Sequence, residues 1–207
     1  MTTASGKAND DGGAPERRLG AKGALRREQI LESAIALFAE RGVDAASLRS
    51  LGQAIGVSHT ALRHYFSSRD ELLIEVYRAH EAGTAPEPSS DQAQPVRAMS
   101  ETAEHNRAIP GLVQLYATLT TDALQEQHPQ TQEFVRERFR ALRASIAAEV
   151  EEGQRAGRVS RDLSPADVAS LIIAASDGLQ VQWLLDPEAV DVGRALSLLE
   201  RMLPDRD

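Results

Sequence analysis

The stretch LRSLGQAIGVSHTALRHYF, residues 48–66, contains two short helical patterns around one glycine turn. Ser47 stands ahead of the first as an N-cap, Gly56 supplies a left-handed residue to end it, and Ser58 caps the second. Leu48, Leu51, Ile55, Val57 and Leu62 fit a buried side, and Gly52 is small enough to let the two helices cross closely. Ser58, His59, Thr60, Arg63 and His64 then project outward. Two helices joined this way suggest a helix-turn-helix, whose second helix enters the DNA major groove if its outer face donates to bases and phosphates.

Charge placement points the same way. The chain of 207 residues carries 23 Lys+Arg against 31 Asp+Glu, a net of −8. Residues 1–80 have a net of +1 and residues 81–207 a net of −9. Between Asp44 and Asp70 there is no acidic residue, while Arg49, His59, Arg63, His64 and Arg69 all fall there, so this is the window a polyanion can approach. Arg63 can bond bidentately to a guanine edge. Ser47, Arg49 and Arg69 suit phosphates, which position a helix without carrying sequence information, and Tyr65 can reach a phosphate through its hydroxyl. Phe66 is expected in the core, locking the second helix onto the first helix of the chain.

Helical periodicity runs outward in both directions. Leu25 to Arg41 carries Ile30, Leu31, Ala34, Leu37 and Phe38 at helical spacing, and Ser68 with Glu71 forms a capping box that opens a helix to about Ala82. The first 25 residues are small, polar and Gly-rich, and are expected to form a disordered arm. GTAPEPSSDQAQP, residues 83–95, is a linker rich in Pro and Ser. Beyond it, helices are predicted from Val96, from Pro110, after His128 and Pro129, from an N-cap at Ser164 with Pro165 and Asp167, and from Val192 to Leu203. The fold class is therefore all-α, with about nine helices.

Several functional classes find no support. The absence of cysteine excludes disulfides, thiolate zinc sites and cysteine nucleophiles, and fits a reducing, cytoplasmic compartment. No nucleophile elbow, phosphate loop or HExxH is present, so neither an enzyme nor a cofactor is indicated. Glu101 and His105 lie four apart, but no third ligand has metal-site spacing, so no metal is expected. Val168 to Leu185 is apolar enough to approach membrane-spanning length, yet it contains Asp177, Gln180 and Gln182, which favours a buried helix.

GVSHTALRHYFSSRDELL, preceded by ILESAIALFAERGVDAASLRSLGQAI, resembles the DNA-binding domain of TetR-type (tetracycline-repressor-like) transcriptional regulators over about residues 26–80. His59 stands where the family often has Lys, and Arg63 where it often has an aromatic; both departures bear on which operator is read. The region from Pro110 to Leu203 is similar to the family's ligand-binding part in helix count and in pieces such as DGLQVQWLLDPE. The resemblance implies an N-terminal three-helix helix-turn-helix domain, residues 26–82, and a C-terminal helical ligand-binding and dimerisation domain, residues 96–207. It further implies a homodimer through a four-helix bundle of the last two helices. Ala174, Ala175 and Gly178, small enough for close crossing, and Leu196 and Leu199 are the expected interface residues. Asp177, the one charge in an apolar helix, requires a partner or a purpose. Candidates to line a ligand cavity with it are His105, Asn106, Tyr116, Phe139, Gln180 and Trp183.

The implied function is a one-component regulator, a repressor released from a palindromic double-stranded operator by a small-molecule effector, and associated with the nucleoid when bound to DNA. The alternatives are an effector-independent activator or architectural protein, and a helical-bundle enzyme or carrier.

Overall fold

The structure, a computed structural model, describes residues 20–43, 47–81 and 95–202. Among these residues every regular element is an α-helix: α1 (Ala21–Arg41), α2 (Leu48–Ile55), α3 (His59–Tyr65), α4 (Arg69–Glu81), α5 (Pro95–Ala108), α6 (Leu112–Asp122), α7 (Pro129–Arg155), α8 (Pro165–Leu185) and α9 (Val192–Glu200). Most of the expected arm, most of the linker, and Leu203 lie outside the described residues.

Local chemistry accounts for several helix starts. Ser47 and Ser50 exchange side-chain-to-backbone bonds of 3.0 and 2.9 Å, a capping box at the start of α2. Ser58 Oγ accepts from Ala61 N at 3.1 Å to start α3, and Asp191 Oδ1 accepts from Arg194 N at 2.9 Å to start α9. Before α4 the expected box is displaced by one residue: Ser68 Oγ accepts from Glu71 N, but Glu71 Oε2 reaches back to Ser67 N. Two starts differ from the sequence reading. α1 begins at Ala21, inside the expected arm, because Ala-Lys-Gly-Ala continues the helix N-terminally from Leu25. α6 begins at Leu112 rather than Pro110, because Gly111 holds φ 83° and a Cβ there would lie 2.8 Å from Ala39 N of α1.

Two apolar cores hold the helices. The first contains Phe38, Leu51, Leu62, Phe66 and Tyr77 from α1 to α4, together with Leu112, Leu115, Tyr116 and Leu119 of α6 and Phe134 and Val135 of α7. Phe66 is fully buried, as expected, and burying an aromatic of this kind stabilises by roughly 1.5–3 kcal/mol. The first core therefore includes residues on both sides of the linker: α1 and α4, which flank the helix-turn-helix, pack on α6, and α4 also packs on the first turns of α7. The second core joins α5, the later turns of α7, α8 and α9 through residues such as Ile146, Val150, Ile172 and Leu196. Phe139 packs against both.

α8 is long and apolar enough to cross a membrane by length and composition. Within the chain it is buried along one face only, by Val168, Ala169, Ile172, Ile173, Ser176 and Gln180. Its opposite face, Leu171, Ala174, Gly178, Val181 and Leu185, is exposed at alternating three- and four-residue spacing. The sequence reading of a buried helix thus holds within this chain for one face only, about a third of the helix.

Candidate functional site

The α2–α3 corner closes through Gly56, at φ 68°, and a bond from Val57 N to Gly52 O of 2.8 Å. Gly52 is required by space. A Cβ on it would lie 2.4 Å from Val57 O and 3.1 Å from Leu62 Cδ1. Close approach is therefore to the turn's own backbone as well as to α3. Leu51 and Leu62 are fully buried, which fixes the rotation of α3 and leaves His59, Thr60, Arg63 and His64 exposed.

The candidate DNA-contacting residues divide into two groups. Among the described residues neither Arg49 nor Arg63 forms an ion pair, and both are exposed, as free donors must be. Ser47 and Ser58 are exposed, with their oxygens serving as caps. Tyr65 is half-buried against the first core, edge-on to His64 with ring centroids 6.2 Å apart. Arg69 departs from expectation: its guanidinium bonds Asp122 at the end of α6 at 3.1 Å. Two further contacts lie beside it, Ser68 Oγ to Gln130 Oε1 at 2.6 Å and His128 Nδ1 to Asp70 Oδ1 at 2.9 Å. The first turn of α4 is thus fastened to the α6–α7 corner. Nearer its middle, Glu75 is pulled towards a higher pKa by burial, but hydrogen bonds from Arg27 of α1 and from Arg78 outweigh this and hold it low.

The candidate ligand residues are only partly brought together. Tyr116 donates to Asp177 Oδ2 at 3.4 Å, and Trp183 lies under the Arg107 guanidinium at 5.7 Å. Asn106 is buried with its Oδ1 unpartnered. Gln180 instead bonds within its own helix, to Ser176, and His105 is exposed. Glu101 pairs with Arg97 at 2.9 Å.

Three residues absent from the expected set complete the polar cluster around Tyr116. Tyr77 of α4 stacks on the Tyr116 ring with centroids 5.3 Å apart, and the Arg138 guanidinium of α7 sits 5.1 Å from both rings while pairing with Glu81. The sequence carried one signal for this: Arg138 falls among Val135, Phe139 and Leu142 on the apolar face of its helix, where a charge must find partners. Burial pushes both tyrosine hydroxyls above their ordinary range. Burial also raises the Asp177 carboxyl, to about 6, although Arg138 and the Tyr116 hydroxyl pull the other way. An open cleft of about 460 Å³ beside Arg138 is lined by Arg78, Glu81, Phe134, Glu137 and Leu142, among others.

The expected interface residues also divide. Ala174 and Gly178 are exposed and Ala175 is half-buried, but Leu196 is fully buried in the chain's own second core, against which Leu199 also packs. Leu196 is therefore excluded as a free surface residue. A helix with apolar residues on both faces does not reveal from sequence which of them faces inward. The exposed ones are Leu171, Val181, Leu184 and Leu185 on α8 and Leu198 on α9.

Comparison with known proteins follows the same division. A sequence model of bacterial regulatory proteins of the tetR family matches residues 30–76, and one of the C-terminal part of BetI-type transcriptional repressors matches residues 111–206. The HTH-type transcriptional repressor Rv1474c of Mycobacterium tuberculosis is 47% identical over 55 residues, 27% of this chain and 29% of that protein. Relatives matched in this way are spanned over less than a third of their own length. The probable HTH-type transcriptional regulator ArpR of Pseudomonas putida is 27% identical over 180 residues, 80% of this chain and 83% of that one. In fold, the chain is similar to a transcriptional regulator from Saccharomonospora viridis solved in complex with choline, with a TM-score of 0.71, 21% identity, and coverage of 88% of this chain and 100% of the other. With one match on the helix-turn-helix and the other on the helices that support it, the chain belongs to the tetR family of bacterial regulatory proteins.

Proposed function

We propose that the protein is a cytoplasmic, sequence-specific DNA-binding repressor, active as a homodimer and released from a palindromic operator by a small-molecule effector. The observation that carries this is the exposed face of α3: His59, Thr60, Arg63 and His64 on a helix whose other side is locked by Leu62, in a window free of acidic side chains. Such a face has donors for base edges and phosphates and little else to use them on. Arg63→Ala is expected to relax preference at one operator base pair by about 1–3 kcal/mol. Arg49→Ala is expected to weaken all sequences evenly and lower the salt slope by about one. Titrations at several salt concentrations measure both; uniform loss in both variants would refute the division between reading and positioning residues.

Dimerisation is supported by the exposed seam of α8. Leu171, Ala174, Gly178, Val181 and Leu185 repeat as helix-packing residues do, and a Cβ at Gly178 would meet nothing within 4 Å in the chain itself. A two-fold arrangement places two recognition helices on successive turns of DNA, matching a palindrome. The double variant Leu171→Glu, Val181→Glu is expected to sediment as a folded monomer and to lose palindrome binding; a dimer in that variant would place the interface elsewhere.

For release, an effector must bind the DNA-incompetent arrangement more tightly than the competent one. Each tenfold preference weakens the operator complex by at most about 1.4 kcal/mol. Helix α4 is the element suited to transmit this, since it follows α3 directly and is tied to α6 and α7 at both ends, through Arg69–Asp122 and Glu81–Arg138.

A further inference from the structure

We propose that Asp122, at the C-terminal end of α6, competes with the DNA backbone for Arg69: it holds the guanidinium in the free protein and yields it to a phosphate when α3 docks. This rests on the DNA-binding reading above and adds a residue outside the helix-turn-helix that lowers affinity for DNA.

Position comes first. Arg69 begins α4, just past the end of α3 at Tyr65. A helix lying in the major groove has a phosphate strand on either side, so the start of the next helix is where a long cationic side chain meets the backbone. The Arg69 side chain is 27% exposed, which leaves it at the surface rather than in the core. The acids beside it are already engaged: Asp70 Oδ1 lies 2.9 Å from His128 Nδ1, and Glu71 Oε2 accepts from Ser67 N at 2.6 Å.

Asp122 offers what a phosphate offers. Its Oδ2 accepts from Arg69 Nη1 at 3.1 Å, and it is the last residue of α6, where the helix dipole adds negative potential. A guanidinium grips carboxylate and phosphate through the same planar fork. It cannot serve both fully. Whatever strengthens the Asp122 pair therefore weakens the phosphate contact by the same factor.

The seating of α4 does not depend on this pair. Ser68 Oγ donates to Gln130 Oε1 at 2.6 Å and Asp70 bonds His128, so the first turn stays on the α6–α7 corner when Arg69 leaves. A fastened backbone carrying a releasable side chain is what the exchange requires.

The test is titration of the full-length protein against a fluorescent duplex of random sequence, long enough for two half-sites, at several salt concentrations. Phosphate contacts are independent of sequence, so this probe reads them. Wild type is compared with Asp122→Asn, Arg69→Ala and the double variant, and with Glu126→Gln, which removes an exposed charge from the segment between α6 and α7. The expected result is that Asp122→Asn binds at least fivefold more tightly than wild type, while Glu126→Gln changes affinity less than twofold. In the Arg69→Ala background, Asp122→Asn should also change it less than twofold. A weaker complex for Asp122→Asn would overturn the proposal by making Asp122 a brace for α4. Equal tightening with and without Arg69, or in Glu126→Gln, would overturn it by making the effect general charge repulsion. Should Asp122→Asn not fold, the wild-type complex decides by nuclear Overhauser contacts: contacts from the Arg69 Cδ protons to deoxyribose are expected, and their absence overturns the proposal. A wild-type complex that folded Asp122→Asn leaves unchanged rejects this inference alone, whereas a wild type that binds no duplex at any salt rejects the DNA-binding reading and this inference with it.

Discussion

Gly52→Ala is expected to cost roughly 3 kcal/mol of folding stability, the upper end of overpacking, and with it most operator affinity. The added methyl would lie 2.4 Å from the carbonyl oxygen of Val57, which is backbone and has no rotamer through which to move away. Relief requires the α2–α3 turn to open. That would break the Val57 N to Gly52 O bond and draw Leu62 out of the core, rotating the outward face of α3. Gly56→Ala provides the control. Gly56 has φ 68° with nothing within 4 Å of an added Cβ, so it incurs only the left-handed backbone cost of about 1–2 kcal/mol. Denaturant midpoints for the two variants separate the effects; equal, mild losses would mean that the corner is not close-packed.

Asp177→Asn should stabilise the effector-free protein at alkaline pH and lose that advantage in acid. Burial raises the Asp177 carboxyl to about 6 from an ordinary 3.8, more than Arg138 and the Tyr116 hydroxyl lower it. The folded chain thus favours the protonated acid. Its contribution to stability is fully present below about pH 4 and is lost as pH rises through about 6. Two pK units correspond to about 3 kcal/mol, and solvent reaching a partly exposed group reduces this to about 1–2 kcal/mol. Asparagine keeps an oxygen for the Tyr116 hydroxyl and removes the charge. Urea titrations at pH 8 and pH 5 should therefore show the variant ahead at pH 8, with the gap narrowing at pH 5. A variant less stable than wild type at pH 8 would show that Asp177 is held ionised by a strong partner.

The DNA-binding end was largely legible in the sequence because its constraints are local. Periodicity placed α1 to α4, the serine caps at 47 and 58 fixed two helix starts, and the glycine at 56 marked the turn. What could not be read there was long-range: nothing near Arg69 in sequence announces Asp122, 53 residues away. The same limit applied to the ligand site. Tyr77, Glu81 and Arg138 come from helices on opposite sides of the linker, and an arginine on an apolar face does not say which partners it finds. Asp177, singled out as a charge needing company, receives one bond of 3.4 Å from Tyr116, whereas Gln180 satisfied itself within its own helix. On α9, Leu196 and Leu198 differ by two positions and by which side of the helix they occupy; one is core and the other exposed. Composition cannot separate them, because both faces are apolar.

The most direct test of the central claim, that exposed α3 side chains on a two-fold dimer read DNA sequence, is selection of bound duplexes from a random pool at fixed salt, with Arg63→Ala in parallel. The account predicts a palindrome with half-site centres about one helical turn apart, altered by the variant at one symmetric base pair. A well-folded dimer that enriches no motif would contradict it.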